Sequence, residues 1–186
     1  TTGDANVEIT SKCDEDEATK RCLPGGSYNT LIAGTIFAKR SIYSKDIDLA
    51  DVISSRREAT ISEGTTAPLL GIPRLDLRLQ GRDALVVRNN LADLTASVDL
   101  RVTGDVDYPV ISGRITANSG TVFFRSDRYE VRRGTLEFPP QTDNEPVINL
   151  QAETDIKGYQ VFVNLAGELS NLDALTANVR SNPALP

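Results

Sequence analysis

The chain contains no histidine, no tryptophan and no methionine. Without histidine it lacks the commonest general base and the most frequent metal ligand, which removes most catalytic triads and most zinc sites. Aromatic residues make up only 5% of the sequence, too few for the two aromatic girdles of an outer-membrane barrel. No apolar run approaches the roughly 20 residues that a membrane-spanning helix needs. The absence of methionine even at position 1 leads us to expect a piece of a longer chain. Cationic clusters are missing too. The net charge is −6 and the basic residues are dispersed, so nucleic acid is not an expected partner.

Two cysteines are present, Cys13 and Cys22, on either side of the acidic run Asp14-Glu15-Asp16-Glu17. In an oxidising compartment they can close a small disulfide loop; the alternatives are two unpaired thiols or, short of ligands, a zinc site. The run itself lacks the spaced Asp/Asn ligands and the glycine of an EF-hand loop. No Gly-x-Ser-x-Gly elbow, Walker loop or dinucleotide glycine fingerprint occurs. Carboxylates such as Asp105 and Asp107 fall on polar positions of a strand pattern, where solvation is their role. We expect no catalysis, no cofactor and no bound metal.

What the chain has in abundance is alternation with a period of two. From Leu94 the apolar series runs Leu94, Ala96, Val98, Leu100, Val102, Gly104, and the intervening positions are Thr95, Ser97, Asp99, Arg101, Thr103, Asp105. Asp107-Tyr108-Pro109 breaks this run, because proline donates no ladder hydrogen bond, and the alternation restarts at Ile111, Gly113, Ile115, Ala117. Further strands are expected over residues 120–124, 129–138, 147–156, 159–169 and 175–179. Within them Leu136, Phe138, Ile148, Leu150, Ile156, Val161, Val163 and Leu165 share the apolar face, and upstream Leu75, Leu77 and Leu79 alternate with Asp76, Arg78 and Gln80. Short connections imply antiparallel neighbours. An earlier strand pair is expected around Leu31 to Tyr43, with a strand or helical turn at Asp46 to Ile53. Residues 1–29 read as an N-terminal loop segment, 30–186 as the β domain, and the polar, turn-rich stretch 56–73 as a linker or long loop within it. A weak echo links Gly34-Thr35-Ile36-Phe37-Ala38 with Gly113-Arg114-Ile115-Thr116-Ala117.

A sheet with one apolar face must bury it against something, and no amphipathic helix is available as cover. Two arrangements satisfy the pattern: a sandwich or closed barrel filled by these aliphatics, or a sheet curled into a trough whose apolar floor stays open to an acyl chain or another apolar segment. Alternation alone does not separate them.

The segments from Gly34 onward resemble the C-terminal domain of the TamB family, of the AsmA-like, bridge-like lipid-transfer superfamily. The resemblance is carried by Gly34-Thr35-Ile36, Tyr43 through Leu49, Leu75-Asp76-Leu77, Val87 through Ala92, Asp99 through Gly104, Pro109, Gly113-Arg114-Ile115, Gly120, Gly134 through Phe138, Pro146-Val147-Ile148, Gly167 and Ser181-Asn182-Pro183. It implies an all-β fold: an elongated, curled antiparallel sheet forming a U-shaped groove with an apolar interior. It also implies a periplasmic location as part of an inner-membrane-anchored protein, with phospholipid acyl chains and an Omp85-family outer-membrane barrel as partners. On that reading the groove residues are Leu94, Val98, Leu100, Val102, Ile115, Leu136, Phe138, Ile148, Leu150, Ile156, Val161, Val163 and Leu165.

Overall fold

A computed structural model of the chain describes residues 2–13, 28–46, 72–124, 127–140, 145–169 and 175–184. Among the described residues nine strands make one sheet: β1 (Thr2–Cys13), β2 (Tyr28–Tyr43), β3 (Arg74–Arg88), β4 (Ala92–Asp105), β5 (Pro109–Phe124), β6 (Asp127–Phe138), β7 (Val147–Ile156), β8 (Tyr159–Glu168) and β9 (Thr176–Asn182). Their spatial order is their order in the chain. The sheet is curled but does not close into a barrel, and no helix is found among the described residues. The sandwich and the closed barrel are thereby excluded for these strands.

Turn chemistry sets the connections. Lys157 and Gly158 both have positive φ, 52° and 86°, as the two-residue hairpin between β7 and β8 requires. After β4 the chain turns through Val106–Tyr108, with the Tyr108 N–H donating to the Asp105 carbonyl at 3.1 Å.

Three expectations are revised by the register. Thr2–Cys13, read as loop, form β1, whose apolar series of Ala5, Val7 and Ile9 pairs with Ile36, Gly34 and Ile32. The pair of strands expected around Leu31 to Tyr43 is one continuous strand, β2. Junction β2/β3 is parallel, with Ile32 beside Leu75 and Ile36 beside Leu79, whereas every other junction is antiparallel. The Cys13–Cys22 pairing falls outside the described residues, as do Ile47 to Ile53 and all of the 56–73 stretch except Ile72 and Pro73.

The strands do not run straight. Register shifts occur between Phe37 and Ser41 on β2, Gly81 and Leu85 on β3, Thr95 and Ala96 where β4 meets β5, and Val131 and Arg133 on β6. They are neighbours across the sheet: Phe37 pairs with Gln80, Leu85 with Ala96, Ala96 with Ala117, and Ala117 with Gly134. A bulge bends its strand and increases the local twist. Four strands bulged along one line, β2, β3, β5 and β6, therefore share a crease that runs across them and the intervening β4. Junctions β7/β8 and β8/β9 show no shift.

Small residues line the crease on the apolar side. Ala84 and Ala96 are each only 1% exposed. A methyl group added at Gly81 would stand 2.5 Å from the Ala84 Cβ and 3.1 Å from the Ala38 Cβ, and one at Gly134 would stand 2.9 Å from the Ala117 Cβ. Where the sheet bends, only residues of this size fit side by side. The sequence echo lies here as well: Gly34 and Gly113 both have positive φ, 153° and 118°, and each precedes a bulge by a few residues.

Candidate functional site

By register the thirteen residues share one face of the sheet. Val98 pairs with Ile115, and Ile115 with Leu136; Leu136 pairs with Ile148, and Leu150 with Leu165. Leu100 and Phe138 flank Gly113. Val102 sits between Leu77 and Ile111, and Leu94 beside Val87. Val163 and Val161 continue the face from Ala152 and Thr154 toward β9, and Ile156 meets Tyr159 at the hairpin end.

Val161 is buried and the other twelve are half-buried. No large side chain is fully buried among the described residues. That is the signature of a face packed edge to edge within one layer, with no second layer pressed onto it.

Sequence reasoning left several members of this face out of the site. Ile32, Ile36, Leu85, Val87, Val122, Tyr129, Val131 and Val179 belong to it by register. Parity was the available signal, but it is lost where a single residue is inserted, as at Asn118 and Arg132, because one extra residue moves every later side chain to the opposite face.

The other face is charged and largely paired with itself. Arg101 donates to both carboxylate oxygens of Asp76, at 2.8 and 3.0 Å. Arg78 reaches Asp99 at 3.3 Å, Arg114 reaches Glu137 at 2.9 Å, Lys39 reaches Asp4 at 2.7 Å, and Arg132 pairs with Glu153. A shallow cleft on this face is bounded by Asp76, Arg78, Asp99, Arg101 and Ser112. Its charges neutralise one another in opposite-sign pairs, so it presents no uncommitted group for acid–base work. Among the described residues no three His, Cys, Asp or Glu side chains come together as a metal site, and no helix is long and apolar enough to cross a membrane.

Hydrogen bonds from Arg101 hold the Asp76 carboxyl below the ordinary aspartate range, and this outweighs a slight upward pull from desolvation. Arg132 lowers Glu153 in the same way. A carboxyl depressed in the folded state binds its proton less readily than in the unfolded chain. Its stabilisation is therefore complete above the unfolded-state value and is lost as pH falls through that range toward the folded value. Stability should consequently be flat near neutrality and decline below about pH 4. Asp76→Asn should flatten part of that acid limb with little change at pH 7, since exposed pairs are individually weak. Denaturant midpoints measured from pH 7 to pH 3 check this; an unchanged acid limb in Asp76→Asn would remove the pair from the account.

A curled single-layer sheet with one aliphatic face and one ion-paired face defines an open, amphipathic β protein. More particularly, the chain belongs to the TamB C-terminal domain family, which matches residues 29–186. Proteins of this family are non-enzymatic components of cell-envelope biogenesis, they span the envelope, and they work in a translocation and assembly module. No curated protein matches the chain.

Proposed function

We propose that the aliphatic face is the floor of a groove along which phospholipid acyl chains pass between the inner and outer membranes. On this reading the segment lies in the periplasm as part of an inner-membrane-anchored protein. One observation supports it above the others: an unbroken aliphatic face runs from β1 to β9 with no layer covering it among the described residues. Exposing such a face to water is costly, and an acyl chain is a fitting cover. Burying a methylene is worth roughly 0.8 kcal/mol, so a sixteen-carbon chain leaving water gains on the order of 12 kcal/mol. Escape into water is correspondingly slow. Movement along near-equivalent Val, Leu and Ile side chains meets no comparable barrier, which suits passage better than selective capture.

Mass spectrometry of material bound to the purified protein, with photo-crosslinking from Val102, Leu150 and Val163, tests the reading. Phospholipid adducts at all three positions are the expected result. A delipidated protein that gives no adduct with added vesicles would remove it.

A second reading is favoured by the edges. Among the described strands β9 has a neighbour only in β8, and its Val179 is 58% exposed. Such an edge can take up a strand by β-augmentation. The segment would then assist insertion of outer-membrane proteins with an Omp85-type barrel. Crosslinks from Asn178 and Arg180 to strand peptides, in the absence of lipid adducts, are the result that would favour this reading.

A further inference from the structure

At the crease, three polar side chains from three adjacent strands meet on the charged side of the sheet. Asp83 lies in the β3 bulge with φ 51°, a left-handed conformation that Asp and Asn tolerate better than most residues. Its backbone N–H donates to the Ser97 Oγ on β4 at 3.0 Å. Asn118 is the extra residue of the β5 bulge, since Thr95 pairs with Ser119 and Ala96 with Ala117. Its Nδ2 donates to the Asp83 carboxylate at 2.6 Å and to the Ser97 Oγ at 2.7 Å. One strand further on, the bulged Arg132 of β6 is tied to Glu130 and Glu153.

Each of these side chains sits on a residue inserted into, or directly opposite, a bulge. Nothing in the alternation of a strand requires a bulge to align with its neighbour's, and a bulge is free to slip where no side chain fixes it. We propose that Asp83, Ser97 and Asn118 form a clasp that pins the bulges of β3 and β5 against β4, and so holds the bend over which the two wings of the aliphatic face approach each other. The small residues on the opposite side, Ala84, Ala96 and Ala117, permit the bend; the clasp fixes it. These are positioning residues. They touch no groove occupant and act through the separation of the wings. The consequence for acyl chains rests on the lipid reading above, whereas the geometry does not.

The test measures the bend directly. Spin labels at Tyr108→Cys and Asp127→Cys, with Cys13 and Cys22 replaced by serine, sit beyond opposite ends of β5. Were β5 straight, its 16 residues would set them roughly 50 Å apart. The parent should give a shorter, narrow distance distribution. Asn118→Asp removes the donor and places two carboxylates together, so the distribution should broaden and shift to longer distances. The exchanged pair, Asp83→Asn with Asn118→Asp, restores one donor and one carboxylate with the roles reversed, and should return the distribution to the parent's. Rescue of that kind is not expected of side chains that merely fill space. Should Asn118→Asp fail to fold, Ser97→Ala deletes the shared acceptor alone and should broaden the distribution likewise. A folded Asn118→Asp or Ser97→Ala with the parent's distribution overturns the proposal, as does a folded exchanged pair that stays broadened. Phospholipid crosslinking in the same variants is read separately: a widened bend with undiminished crosslinking leaves the clasp standing and counts against the lipid reading.

Discussion

Val163→Asp is expected to fold and to lose phospholipid crosslinking. Position 163 lies between Ala152 on β7 and Val179 on β9. Val179 is more than half exposed, so water can reach a carboxylate placed beside it. In a closed core that carboxylate would be buried without a partner, at a cost of several kcal/mol or loss of the fold. On an open face we expect about 1–2 kcal/mol and a melt that remains cooperative. Crosslinking from Leu150 and Leu165 should fall about tenfold or more, because tenfold corresponds to 1.4 kcal/mol and stripping water from an ionised carboxylate costs more than that. Val102→Asp should behave alike, and Leu150→Asp should lose somewhat more stability, with Gly134 and Leu165 on either side of it. If all three variants unfold and the parent yields no lipid adduct, the face is a closed core and transport along this segment is ruled out.

Gly113→Ala is expected to cost more stability than the lost backbone freedom of a glycine alone explains. Gly113 has φ 118°, a conformation that a Cβ disfavours. The methyl group would also press on the Asp99 carbonyl oxygen and stand 3.0 Å from the Leu100 Cα. Both are backbone atoms of β4, held by the ladder that pairs Leu100 with Gly113, so neither can move without opening it. We expect a loss of about 2–4 kcal/mol, or roughly 6–12 °C in melting temperature for a chain of this size. Gly158→Ala is the matched control: φ is 86° but no atom lies within 4 Å of the added methyl, so only the backbone term remains, about 1 kcal/mol. Equal losses at the two sites would show that the contact with β4 contributes nothing.

Strands β4, β7 and β8 were legible in the sequence nearly to the residue, because their alternation is uninterrupted and their hydrophobic residues are large. β5 was read as two runs, 111–117 and 120–124. The inserted Asn118 breaks the period, which looks in sequence like the end of one strand and the start of another. β1 was taken for loop because its apolar positions are Gly3, Ala5, Val7 and Ile9, a weak series placed just before an acidic run. The parallel β2/β3 junction leaves no trace in periodicity, since a strand alternates in the same way whichever direction its neighbour runs. The thirteen residues expected on the apolar face share one face by register. Whether that face is covered could not be read at all, because a sandwich and an open sheet require the same pattern of side chains.

The strand order, identical to the chain order, gives the sheet an almost one-dimensional thermodynamics. Each strand touches chiefly the one before and the one after it, so free energy accrues by nearest-neighbour terms, as in a repeat array. Opening should start at the ends, with the seven-residue β9 exchanging its amides before β4 or β5 does. The same arithmetic separates two dimensions of the molecule. Its cross-section is set locally, by where the bulges fall and how large the residues beside them are. Its length is only a count of hairpins. An added hairpin extends the aliphatic face by about 9–10 Å, two strand spacings, without changing its width. Selection can therefore tune the length of the aliphatic face independently of its width.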